Sequence, residues 1–195
     1  MVDLNFKMPV QISKNYEAFK TKNMVIKNLM IEKFKIKNFT NSIKEIKENF
    51  LYVLVTQKVI NPYVFILWAI EKYKYIDELY IATYRLSYKA AINLKYLVES
   101  RTVKKLIIVA NDNYETLMKD KADILLKLDK ENDNFKLIKK NSHAKVTLIK
   151  AKNEYIVISG SGNYSTNPKI EQYSILKNKE LYMFHKEWMI NEMDG

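Results

Sequence analysis

The chain has 195 residues, enough for one domain with a substantial core, or one domain with a short extension. With 48% hydrophobic residues and only three Gly and three Pro, the composition excludes a disordered tail. Lys and Arg number 33 against 22 Asp and Glu, and the net charge of +11 suits a polyanionic partner, either nucleic acid or an anionic membrane surface. There is no cysteine, which excludes disulfides and thiol catalysis; zinc would have to rely on two histidines and carboxylates, so no metal is expected. Met1 to Val10 lacks a cationic start followed by an apolar run, and the longest apolar run, Val64 to Ile70, is far too short to span a bilayer. The expectation is a cytoplasmic protein with no membrane partner.

Residues 1–40 are lysine-rich with scattered apolar positions and are expected to form an N-terminal extension, the domain proper running over 41–195. Ser42-Ile43-Lys44-Glu45 fits a capping box and predicts a short helix to about Asn49. Leu51 to Thr56 is a compact run of β-formers, hence a buried strand. Asn61 as N-cap and Pro62 at the first helical position start a helix carrying Val64, Leu67, Trp68 and Ile70. Leu79 to Thr83 is a second strand, and Ser87 caps a helix with Ala91, Leu94, Leu97 and Val98 on one face. Leu106 to Ala110 is a third strand, followed by a helix through Leu117, Ile124, Leu125 and Leu128. Phe135 to Ile138 is the fourth, edge strand. Continuous apolar strands alternating with amphipathic helices predict an α/β fold, its mixed, largely parallel sheet flanked by helices on both faces. Polar residues cluster where the strands end: Thr56-Gln57, Thr83-Tyr84-Arg85 and Asn111-Asp112. Such carboxyl ends are where α/β proteins place ligands, and Tyr84 and Arg85 are candidate contacts to a nucleic-acid backbone.

Two β-rich segments, 143–150 and 154–161, flank Ala151-Lys152-Asn153 and read as an antiparallel hairpin. If the turn centres on Lys152, opposed residue numbers sum to 304, so His143 faces Ser161 and Lys145 faces Ser159. His143, Lys145, Ser161 and Asn163 then converge at the open end of the hairpin. An imidazole can attack phosphorus and form a phosphohistidine, while a lysine ammonium and an Asn amide hold the non-bridging oxygens. Gly160 and Gly162 beside Ser161 leave room for a phosphate near the backbone, and Glu171 is placed to accept a proton from the second ring nitrogen.

His143-x-Lys145, then Gly160-Ser161-Gly162-Asn163 and Glu171, resembles the phospholipase D motif HxKxxxxDxxxxxxGSxN with its later Glu. The resemblance covers roughly residues 50–190, with the motif itself in 143–171. It implies a metal-independent phosphodiesterase, an endonuclease on DNA or RNA, with His143 as nucleophile and no cofactor. The family's Asp falls at residue 150, where this chain has Lys150. Family members without that Asp still cleave phosphodiesters, but the departure leaves a second expectation: a degenerate, non-catalytic nucleic-acid-binding protein of a phage or mobile element. The family's catalysis needs two histidines, and this chain has one motif. The other histidine, His185, sits in an amphipathic helical stretch without a following Lys and reads as structural. The resemblance therefore implies a two-fold homodimer with both His143 side chains in one cleft. A lipid phosphodiesterase ranks last, for want of an interfacial helix.

Overall fold

The computed structural model describes residues 19–21, 24–31, 45–48, 50–56, 61–113, 119–165 and 169–191. Its elements run β1 (Phe19–Thr21), β2 (Met24–Ile31), β3 (Phe50–Thr56), α1 (Tyr63–Tyr73), β4 (Glu78–Thr83), α2 (Tyr88–Glu99), β5 (Leu106–Asn111), α3 (Lys119–Glu131), β6 (Phe135–Lys140), β7 (Val146–Ala151), β8 (Glu154–Gly160), β9 (Glu171–Lys177) and α4 (Lys179–Ile190). The strands form one sheet in the order β1-β2-β3-β9-β8-β7-β4-β5-β6, with β6 at the edge as expected.

The fold is α/β with helices on both faces, but the sheet is not largely parallel. Only β2–β3, β4–β5 and β5–β6 pair parallel; the other five junctions are antiparallel. The cause lies in the connections. Helical crossovers stop at β6, and β7, β8 and β9 then run as a meander whose short links force antiparallel neighbours. This meander inserts between β3 and β4, two strands that the sequence places next to each other.

Side-chain alternation divides the core in two. Leu79 and Ile81 of β4, Leu106 and Ile108 of β5 and Ile149 of β7 pack under α1, α2 and α3. Tyr80, Ala82, Ile107, Val109 and Leu148 face the other way, against Tyr182 and Met189 of α4. Trp68 is 1% exposed and belongs to the first of these layers. Ser87 caps α2 by accepting from the Ala90 N–H at 3.1 Å. Asn61 acts one position earlier than expected: Pro62 holds the cap position, and Asn61 Oδ1 accepts from the Tyr63 N–H at 3.0 Å.

The short helix expected at 42–49 does not form where the chain is described. Glu45 to Lys47 are coil, and Glu48 bridges to Lys177. The competing interaction is a tyrosine. Tyr52 OH accepts from the Lys47 N–H and donates to the Glu45 carbonyl, both at 3.2 Å, while Ile46 is buried. Ser42 to Lys44, Asn49, Gln57 and Leu117 lie outside the described residues. Residues 19–31, within the stretch read as an extension, add β1 and β2 to the β3 edge of the sheet.

Candidate active site

The carboxyl ends of β3, β4 and β5, the start of β7, the end of β8 and the start of β9 meet at one end of the sheet. His143, Lys145, Gly160 to Asn163 and Glu171 all lie there. The hairpin register differs from the expected one by one residue. Val146 pairs with Ser159 and Ala151 with Glu154, so opposed numbers sum to 305. The turn is the two residues Lys152 and Asn153, with Lys152 left-handed at φ 56. A one-residue slip reverses faces, so strand alternation is not what gathers the site. His143 and Lys145 instead precede β7, and Gly160 N–H donates to the Lys145 carbonyl at 3.1 Å.

His143 is exposed and Lys145 half-buried. Lys145 Nζ lies 2.7 Å from His143 Nδ1 and donates to the His143 carbonyl at 2.6 Å. An ammonium donates and does not accept, so in the shorter contact Nδ1 is the acceptor. Burial lowers the pKa of Lys145, with Glu171 nearby pulling it back up. Tyr84 packs on the imidazole with centroids 4.7 Å apart, and Lys145 Nζ stands 5.8 Å from the Tyr84 ring centre.

Glu171 is 4% exposed. Its carboxylate accepts from Ser161 Oγ, which itself accepts from the Gln172 N–H at 3.0 Å; the Glu171 carbonyl accepts from Thr56 Oγ1 at 3.3 Å. The Glu171 side chain engages Ser161, and the imidazole engages Lys145. Asn163 Oδ1 accepts from the Arg85 N–H at 3.1 Å and lies 3.4 Å from Thr83 Oγ1, so Asn163 ties the hairpin end to the β4 loop. Arg85 itself is exposed.

The two glycines are small for a reason the sequence does not show. A Cβ on Gly162 would collide with the hydroxyl and ring of Tyr173, and one on Gly160 with the Gln172 carbonyl and the same ring. The space expected for a phosphate there is filled by Tyr173, which is itself buried.

Three contributors lie outside the motif. Asn111, 6% exposed at the end of β5, donates from Nδ2 to the Ser142 carbonyl at 3.3 Å and accepts from the Asn113 N–H at 3.0 Å. It fastens the loop that carries His143. Thr147 and Tyr164 share a buried hydroxyl pair at 2.6 Å beneath the site; a lone Thr inside the apolar run of β7 was the available signal. Lys150, at the place of the motif's Asp, is not among them. It lies at the far end of β7, where Nζ is 2.7 Å from Glu78 Oε1, while Lys186 Nζ is 2.6 Å from Oε2. Burial would raise the Glu78 carboxyl, but hydrogen bonds from Lys150, Lys186 and Tyr80 outweigh it and hold the pKa at about 2.

His185 is half-buried on α4, where Nδ1 accepts from Trp188 Nε1 at 2.9 Å and burial lowers its pKa. Its role is packing, as expected. Among the described residues no three His, Asp or Glu side chains group as metal ligands, and no helix is long and apolar enough to cross a membrane.

No protein-family model and no curated protein matches the sequence. Among solved structures the fold is similar to polyphosphate kinase from Porphyromonas gingivalis, with a TM-score of 0.55 at 14% identity. That match covers 74% of this chain and 26% of the kinase, so the chain spans about a quarter of its neighbour's length. The likeness is one of fold: a mixed α/β sheet with helices on both faces.

Proposed function

We propose that this chain is a phosphodiesterase of the phospholipase D type that cleaves nucleic acid through His143. The observation that supports the reading most is the contact of an imidazole and an ammonium, 2.7 Å apart and open to solvent, where the parallel strands end. A phosphate arriving at this pair draws Lys145 onto its non-bridging oxygens, which neutralises charge as the reaction proceeds. Nδ1, freed of the lysine, can then carry the ring hydrogen and leave Nε2 as the nucleophile. Nε2 attacks phosphorus, the P–O bond to the leaving group breaks, and a phosphohistidine forms. The leaving oxygen takes its proton from a second imidazole, which we assign to His143 of a second copy. Water then attacks the phosphohistidine, gives its proton to that second imidazole and releases His143. Excess positive charge along the chain supports a phosphate-rich substrate.

The test is cleavage of labelled single- and double-stranded DNA in excess EDTA, with His143→Ala beside the native chain. Loss of cleavage is expected; cleavage that persists in the variant removes His143 from the mechanism. A parallel reaction with inorganic polyphosphate separates this reading from the activity named for the structural neighbour. A second reading, binding without turnover, draws on Ser161 engaging Glu171 while the His143 ring turns to Lys145. It requires DNA binding that survives His143→Ala and no cleavage under any condition.

A further inference from the structure

Helix α2 leaves the site directly. Tyr84, packed on His143 with the rings tilted 46° to each other, is followed by Arg85, by Leu86, and by Ser87 as the α2 cap. One face of α2 is buried through Ala90, Ala91, Leu94, Leu97 and Val98. The opposite face carries large side chains that the fold does not cover: Tyr88 at 51% exposure, Ile92 at 41% and Tyr96 at 67%. Their spacing of four residues sets them in a stripe, and Tyr88 to Tyr96 spans about 12 Å at 1.5 Å per residue. Cations bracket the stripe. Arg85 and Lys89 are exposed at the end nearest the site, and Arg101 and Lys105 just beyond the other end. The one carboxylate of α2, Glu99, is 3.6 Å from Lys95.

We propose that this stripe is a binding track for single-stranded nucleic acid leading out of the active site, a reading that rests on the proposed nuclease function. Charge selects the occupant. A second copy docking by its own α2 would bring cations onto cations, because both ends of the stripe are positive. A polyanion meets no such penalty. Exposed tyrosine rings select unpaired bases, since the bases of a duplex are already stacked on each other. At a stacked spacing of roughly 3.4 Å, the tyrosine span accommodates on the order of four nucleotides.

The experiment uses the full chain with His143→Ala, so that binding is read without cleavage. Fluorescence anisotropy with a labelled oligo-dT of about a dozen nucleotides is compared for Tyr88→Ala, Tyr96→Ala, and Tyr88→Phe with Tyr96→Phe as aromatic-retaining controls. Each Ala variant is expected to bind about tenfold more weakly and each Phe control like the parent. Lys89→Gln should lower the slope of log affinity against log salt by about 0.7. Unchanged affinity in both Ala variants overturns the track. So does weaker binding accompanied by a shift from dimer to monomer in sedimentation, which would make α2 an interface between copies. Should the native chain fail to cleave while the Ala variants still lose affinity, the track stands and the nuclease reading falls.

Discussion

Replacing Lys150 by Asp introduces the residue that the phospholipase D motif has at this place, and the structure predicts that the substitution weakens the protein. Lys150 opposes Glu78 in the β4–β7 ladder, and their charged ends are 2.7 Å apart. The substitution removes a charge-assisted hydrogen bond worth about 1.5–3 kcal/mol and sets two carboxylates directly opposite each other. Lys186 remains on Glu78 and limits the loss, so about 3 kcal/mol is expected. For a chain of this size that lowers Tm by about 6–12 °C. The pH dependence follows from the depressed Glu78 pKa, about 2 against an ordinary 4.5. The stabilisation is complete above about 4.5 and disappears as pH falls toward 2. Two and a half pKa units set a ceiling of about 3.4 kcal/mol, which solvent at this partly open rim reduces to nearer 2 kcal/mol. In the variant the carboxylates take up protons over the same range and their repulsion fades. Thermal melts by circular dichroism at pH 7 and pH 3 should therefore show a wide gap between native and Lys150→Asp chains that narrows in acid. Lys150 is five residues along from Lys145, about 17 Å of strand, so cleavage measured well below both melting points should be equal. A gap indifferent to pH, or faster cleavage by the Asp variant, refutes the assignment of Lys150 to the fold.

Two other substitutions probe the site from below. Gly162→Ala should cost about 2 kcal/mol through its collision with Tyr173, and Tyr173→Phe in the same chain should recover about 1 kcal/mol by removing the hydroxyl; a double-mutant cycle by denaturant unfolding that gives purely additive changes contradicts the contact. Asn111→Ala should cost about 1–2 kcal/mol and release the Ser142–His143 loop, so kcat should fall about tenfold with KM little changed; an equal loss in both, or none, shows that the loop is held by other means.

The half of the fold built from local rules was legible. β3, β4, β5 and β6, with α1 to α3 between them, follow from continuous apolar runs alternating with helical periodicity, and Ser87 marked the start of α2 correctly. What failed depended on contacts between elements. The capping box at 42–45 is a signal within one turn, and over its described part Tyr52 of the next strand bonds the backbone of Glu45 and Lys47 instead. The placement of β7–β9 between β3 and β4 is a choice among sheet edges, which no run of residues encodes alone. The site was legible as a set of letters and less so as a geometry. His143, Lys145, Ser161, Asn163 and Glu171 do share one end of the sheet. Their partners were not foreseen, because the hairpin turn uses two residues, Lys152 and Asn153, where three were expected, and Ala151 belongs to β7.

The position of Lys150 separates the residue at 150 from the arrangement at 143 to 145. Residues 143 to 145 lie in the loop before β7, held by Asn111 and by the Gly160 N–H. Residue 150 lies on the strand itself, facing α4 at the opposite end of the sheet. Its charge is matched there by Glu78, which also takes Lys186 and the Tyr80 hydroxyl. An Asp at 150 would need a cation in place of Glu78. The first residue of the β4 run Glu78-Leu79-Tyr80-Ile81-Ala82-Thr83 is therefore the partner that suits Lys150, separated from it by 72 positions in sequence and directly across from it in the ladder. Substitutions exchanged across a ladder in this way alter the stability of one sheet end and leave the imidazole and ammonium at the other end where they were.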